Sequence, residues 1–171
     1  MDRANEDKLE FVSAIITDKE KRPLILKRCN NLRLDPGKYD MCSGHMKNGE
    51  IPLQSMYREL NEELGMQPNN ILKIKHLADI ETPHKQLLKT VTHIYHVETN
   101  LTQKQINEKI EKTEEREIQE AKYLKSVGEL MVIQRYSPQI RTIYTKQMEE
   151  VYQMLQEDLY YDGKEEQWEE R

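Results

Sequence analysis

Apolar residues recur along the chain with two periods, and each period predicts a different element. Leu9 to Thr17 (LEFVSAIIT) is rich in β-branched residues and predicts a strand. A polar turn at Asp18 to Lys21 separates it from Pro23 to Lys27 (PLILK), a second short strand, so the pair predicts a hairpin. Asn30 to Lys38 holds Pro36-Gly37 and reads as a loop, and Tyr39 to Cys42 as a short strand leading to Gly44. Leu53 to Leu64 predicts a helix that Gly65 stops in the left-handed conformation. Ile71 to Ile80 and Lys89 to Glu98 (KTVTHIYHVE) predict strands, the second with clear alternation. Thr102 is a fitting N-cap for a charged helix over Gln103 to Lys112. Ile118 to Leu124 predicts a strand and Val127 to Gln134 a helix. Ser137 and Pro138 then read as a cap and a first-turn proline that open a long amphipathic helix over residues 138–160. Its stripe (Ile140, Ile143, Tyr144, Val151, Tyr152, Leu155, Leu159) is expected either to cap the core or to support a homodimer. Residues 162–171, with Asp162, Glu165, Glu166, Glu169 and Glu170, read as a frayed or disordered acidic tail.

Neither a repeat nor a Pro- or Gly/Ser-rich linker interrupts this order, so residues 1–171 are expected to form one α/β domain. Charged residues make up 33% and hydrophobic ones 36%, which suits long exposed helices around a modest core. A net charge of −5 argues against stable nucleic-acid binding through a basic surface. It leaves room for an anionic small molecule if a cation bridges the two. Cys29 and Cys42 make neither a disulfide framework nor a zinc site by themselves, and a reduced, cytoplasmic setting is expected. The opening MDRANEDKLE has no apolar stretch of a signal peptide, and no run is long enough to span a membrane.

The chemistry concentrates in the predicted helix and the loop before it. At about 3.6 residues per turn, Glu59, Glu62 and Glu63 fall on one face at i, i+3 and i+4. Leu53, Tyr57, Leu60 and Leu64 fall on another, where they can pack on a sheet, and Arg58 lies beside Glu62. Three carboxylates so close repel one another unless a cation neutralises them. Mg²⁺ or Mn²⁺ suits, because hard cations take carboxylate oxygens and keep waters.

The spacing from Gly44 to Met66 is Gly, five residues, Glu50, seven residues, Arg58-Glu59, Leu60, one residue, Glu62-Glu63, one residue, Gly65, Met66. Every specified position of the Nudix signature is met, so the chain resembles the Nudix hydrolase superfamily. That resemblance implies a Nudix α/β/α sandwich with a mixed sheet, here with a long C-terminal helix. It implies Glu59, Glu62 and Glu63 as metal ligands, together with the main-chain carbonyl of Gly44. Glu50 and Arg58 would support the loop and helix, and Gly65 would serve the backbone turn. The implied activity is metal-assisted attack of water on a diphosphate, most commonly of a nucleoside diphosphate or triphosphate derivative. A general base is implied in the loop Thr113 to Glu120, with Glu115 favoured, Glu117 next, and Glu114 and Glu120 behind. Two rivals stand beside this. The context Asp40, Cys42, Ser43, Gly44, His45 is similar to the isopentenyl-diphosphate isomerase-like branch, which uses a cysteine and a glutamate. A non-catalytic module could use the same fold to sense a nucleotide, although such modules often have eroded boxes.

Outside the box, Lys27, Arg28, Arg33 and Lys38 are candidates for holding substrate phosphates, and His45 for touching substrate. Cys42 reads as a small buried residue. His93 and His96, three apart on a strand, point to opposite faces and make poor partners for one metal. His76 and His84 suggest no constellation. Tyr39, Tyr57, Tyr95, Tyr123 and Tyr136 are expected in the core or at its rim, with one free to stack on a base.

Overall fold

The computed structural model describes residues 8–83, 89–141 and 146–169, with side chains up to residue 160. Its strands are β1 (Lys8–Thr17), β2 (Leu24–Arg28), β3 (Tyr39–Asp40), β4 (Cys42–His45), β5 (Ile71–Pro83), β6 (Lys89–Thr99) and β7 (Ile118–Tyr123). Its helices are α1 (Pro52–Leu64), α2 (Gln103–Glu111), α3 (Val127–Tyr136) and α4 (Lys146–Glu169). A mixed sheet runs β4-β1-β6-β5, with β1 and β6 parallel and the other pairs antiparallel. A smaller antiparallel sheet runs β3-β2-β7.

The expected β1–β2 hairpin does not form. Both edges of β1 are taken, by β4 and β6, so β2 turns away to pair with β3 and β7, and a single bridge, Thr17 to Pro23, joins the two strands. The stretch Tyr39 to Cys42 is likewise split. The chain leaves the small sheet at Asp40 and enters the large one at Cys42, which brings Gly44 opposite Val12 at the edge of the mixed sheet.

Strand parity separates two cores. Val12, Ala14 and Ile16 of β1, with Tyr95 and Val97 of β6, face Met56, Leu60 and Leu64 of α1 and Ile106 and Ile110 of α2. Ile15 and Ile94 face the other way, onto Leu130 of α3 and Val151, Tyr152 and Leu155 of α4. The result is the α/β/α sandwich. On α1 the packed stripe is Met56, Leu60 and Leu64, each fully buried. Leu53 was expected on that stripe but is 39% exposed: it has the right angle but sits in the first turn, beyond the packed cluster. Gly65 closes the helix at φ 65°, as expected.

Strand β5 carries an irregularity between His76 and Ala78. The extra residue puts His76 opposite Tyr95 and Asp79 opposite His93, so two side chains three apart share one face. His76 therefore does join a constellation, contrary to the sequence reading. His93 and His96 do face opposite sides. His84 lies outside the described residues.

The C-terminal helix differs from expectation at its start. Ser137 caps the end of α3, its amide bonding to the carbonyl of Ile133, and Ile140 pairs with Tyr39 in a parallel bridge. Tertiary pairing thus overrides the Ser-Pro start signal, and α4 begins at Lys146. Ile143 and Tyr144 lie outside the described residues. The α4 backbone is helical through Glu169, past the point where a frayed tail was expected. Met148, Val151, Tyr152 and Leu155 are buried within the chain, so the described part of this stripe caps the core. No described helix is long and apolar enough to cross a membrane.

Asp158 pins α4 to the sheet. Its carboxylate accepts from Lys73 (2.8 Å), Lys75 (3.1 Å) and His96 Nδ1 (2.5 Å), while His96 Nε2 lies 2.7 Å from the Thr17 hydroxyl. Burial holds His96 below its usual value although Asp158 pulls the other way. A neutral imidazole, donating to Asp158 and accepting from Thr17, satisfies both contacts. Burial works to raise the Asp158 carboxyl, but the bonds from Lys73, His96 and Lys75 outweigh it and hold the group at about 2. Asp158→Ala is expected to cost about 3 kcal/mol of unfolding free energy, because it takes the carboxylate from the buried His96 and the partly buried Lys73. The folded value lies below the unfolded one of about 3.9, so the Asp158 contribution is complete above about pH 4 and is lost as pH falls through about 2. Denaturation curves across that window should show the loss in the wild type and not in the variant.

Candidate active site

The loop from His45 to Ile51 is held by Glu50. Its carboxylate accepts from the Lys47 amide (2.8 Å), the Ser55 hydroxyl (2.7 Å) and Arg58 Nε and Nη2 (2.8 and 2.9 Å). Arg58, followed by Ser55 and the Lys47 amide, holds the Glu50 carboxyl down at about 2. The same guanidinium donates to Glu59 (2.8 Å), to Glu62 (3.1 Å) and to the His45 carbonyl (3.0 Å). Arg58 therefore ties the loop, the strand end and two of the three helix glutamates into one unit.

The three glutamates differ in surroundings. Glu59 is buried against the Gly44 backbone: a Cβ on Gly44 would stand 2.1 Å from the Glu59 carboxyl carbon. Burial raises the Glu59 carboxyl, Arg58 opposes, and Glu62 and Glu117 add repulsion. Glu62 is exposed and reaches Lys47 at 3.9 Å. Glu63 is half-buried overall, with its carboxyl end against Cys42. Burial, then Glu59, push it well above the ordinary carboxylate range, with Asp40 and Glu117 adding to this and the Cys42 contact opposing it. Burial, then Glu63 and Glu59, in turn push the Cys42 thiol well up. Cys29 and Cys42 are both free thiols.

These groups open on a cleft of about 980 Å³ between α1, β4 and the end of α2. Its acidic wall is Glu59, Glu62 and Glu63, faced by Glu114, Glu115 and Glu117 from the loop before β7. Glu117 is felt at both Glu59 and Glu63. Glu120 lies on β7 opposite Lys27, outside the cleft. Gly44, His45 and Gly65 line the cleft as well. The expected phosphate cations do not: Arg28 donates to the Leu34 carbonyl (2.9 Å), Lys38 pairs with Asp35 (3.4 Å), and Arg33 sits in the same outer loop. The cations in the cleft are Lys47, Lys109 and Lys112, which the sequence reading missed. The signal was the i, i+3 pair Lys109 and Lys112 closing a short helix, but only the fold turns that end toward the glutamates.

The donor set fits a hard divalent cation. Carboxylate oxygens from three residues converge beside a glycine backbone, and two of the carboxyls are destabilised as anions by burial and by each other, a penalty that a cation removes. A fold of two helical layers around this mixed sheet, with this cleft, is that of the Nudix proteins. The NUDIX domain model matches residues 9–147, and the chain belongs to that family, with the complete box of its pyrophosphohydrolases. Among curated protein sequences none matches. Among solved structures, a Deinococcus radiodurans protein is similar at TM-score 0.62 and 18% identity, covering 85% of this chain and 82% of that one. A Caenorhabditis elegans Ap4A hydrolase is similar at TM-score 0.60 and 15% identity, covering 88% and 97%. The Nudix domain of Shewanella oneidensis NrtR, solved with ADP ribose, is similar at TM-score 0.57 and 15% identity, covering 91% and 94%.

Proposed function

We propose that the protein hydrolyses the diphosphate linkage of a nucleoside diphosphate or triphosphate derivative, or a related organic pyrophosphate, with Mg²⁺ or Mn²⁺. The observation that carries this reading is the convergence of Glu59, Glu62 and Glu63 with three lysines on one cleft. Glu59, Glu62, Glu63 and the Gly44 carbonyl would hold the metal, which neutralises the diphosphate and promotes attack by water. Lys109, Lys112 and Lys47 bind the phosphate oxygens as point charges. Arg58 and Glu50 keep the glutamates in place. Water adds to one phosphorus, the bridging P–O bond breaks, and the second phosphate leaves. Glu115 and Glu117 are loop glutamates that line the cleft beside β7, and of these Glu117, whose charge acts on Glu59 and Glu63, is taken as the first candidate to accept the proton from that water. Glu117→Gln is expected to lower kcat at least ~10²-fold with saturating metal. A wild-type rate would place the base within the box.

The isomerase reading draws on the contact between Cys42 and Glu63, the residue pair such chemistry needs. Cys42 is only 1% exposed and packs in the core, which favours hydrolysis. A sensing module would not require the complete carboxylate set. The similarity to an Ap4A hydrolase and to an ADP ribose-binding domain supports a nucleotide-derived substrate. The test is a panel of nucleoside triphosphates, dinucleotide polyphosphates, nucleotide sugars and dinucleotide cofactors, each with Mg²⁺ and with Mn²⁺. A monophosphate product from at least one is expected, together with a higher Tm in millimolar metal than in EDTA. No turnover across the panel and no Tm shift would overturn the reading.

A further inference from the structure

We propose that His76, Asp79 and His93 form a second metal site, separate from the Nudix cleft, that binds a zinc-like transition-metal dication on the open part of the mixed sheet. The three offer one ligand atom each, all within 4.8 Å of one another. His76 Nε2 lies 2.7 Å and His93 Nδ1 2.6 Å from the same oxygen of Asp79. The bulge in β5 makes this possible, since without the extra residue His76 and Asp79 would point to opposite faces.

A second observation points the same way. The other ring nitrogen of His93 lies 3.2 Å from Glu10 Oε1, on β1. A carboxylate behind a histidine fixes the tautomer and aims the remaining nitrogen, here Nδ1, into the cluster. The His76 ring is steadied by Tyr95, its centroid 5.4 Å away. His93 is only 11% exposed at its side chain, so the imidazole is pre-positioned rather than waving in solvent.

The donor set selects the ion. Two imidazoles and one carboxylate suit zinc, cobalt or nickel, whereas the all-oxygen set in the cleft suits Mg²⁺ or Mn²⁺. At metal–nitrogen distances of about 2.0–2.1 Å, tetrahedral ligands stand about 3.3 Å apart. The Asp79 oxygen must therefore withdraw from each nitrogen by less than about 1 Å, which its 46% exposed side chain permits. Three protein ligands would leave a fourth position for water or for an external ligand. None of the four residues lines the cleft, and the main strand contacts of α1 are with β1 and β4.

The test uses Co²⁺, whose visible absorption reports tetrahedral coordination, added to the metal-stripped full chain carrying Glu59→Gln, Glu62→Gln and Glu63→Gln to silence the cleft. One equivalent with a tetrahedral band is expected, displaced by Zn²⁺ and not by millimolar Mg²⁺. Adding His76→Ala or Asp79→Asn, both at exposed positions, should weaken it at least ~10-fold, and Glu10→Gln about 10-fold through the histidine behind it. Either change alone in the wild-type chain should leave Mg²⁺-supported hydrolysis unchanged. Absence of the band, binding that survives His76→Ala and Asp79→Asn, or a sulfur-to-cobalt charge-transfer band from the thiols would overturn the proposal.

Discussion

Glu63→Gln is expected to lower kcat at least ~10²-fold while the Tm measured in EDTA holds or rises. The two halves of this outcome come from one fact. Glu63 sits where burial and the neighbouring Glu59 disfavour its anion, so the apo protein gains nothing from its charge. A glutamine keeps the shape and can still meet Cys42, but it cannot supply the negative oxygen that a divalent cation needs. The variant should also lose much of the Tm gain from millimolar Mg²⁺. Turnover at the wild-type rate would remove Glu63 from the metal set, and a collapse of the EDTA Tm would mean that its charge serves the fold instead.

Gly44→Ala should be nearly as damaging, for a steric reason. The new methyl would lie 2.1 Å from the Glu59 carboxyl carbon and from Oε1, closer than any real contact. The strand cannot yield easily, because Gly44 is registered opposite Val12 between Phe11–His45 and Ser13–Ser43. Glu59 must therefore swing away, breaking its 2.8 Å bond to Arg58 and leaving the carboxylate face. A kcat loss of ~10²-fold is expected, with about 1–3 kcal/mol of stability. Gly49→Ala is the control: nothing lies within 4 Å of its Cβ position, so it meets only the strain of φ +84° and should keep its rate. Equal losses in the two variants would show that loop distortion, and not the clash with Glu59, is the cause.

The reacting face of α1 was legible because it is written in one short stretch, where helical geometry alone brings Glu59, Glu62 and Glu63 together. The same holds for β1, α2 with its Thr102 cap, and the stop at Gly65. What could not be read is what the chain assembles from distant pieces. Arg28, Arg33 and Lys38 lie close before the box in sequence, yet the cleft draws its cations from Lys47, Lys109 and Lys112. Strand β2 looked like the partner of β1, but the β1 edges were claimed by segments some 30 and 80 residues on, Cys42–His45 and Lys89–Thr99. His76 and Asp79 share a face only through a bulge, which leaves no compositional mark. Ser137-Pro138 carries a sound start signal, and a two-residue pairing with Tyr39 outweighs it.

The clamp at Asp158 also sets an order in time. Its partners Lys73, Lys75 and His96 are made 62 to 85 residues earlier, and so is the apolar sheet face over which α4 lies. During synthesis the layer with α1 and α2 can close early, while Ile15, Ile25 and Ile94 on the opposite face wait for the last helix described. A chain that stops short of α4 leaves that face covered by α3 alone, and an apolar sheet face so exposed favours aggregation.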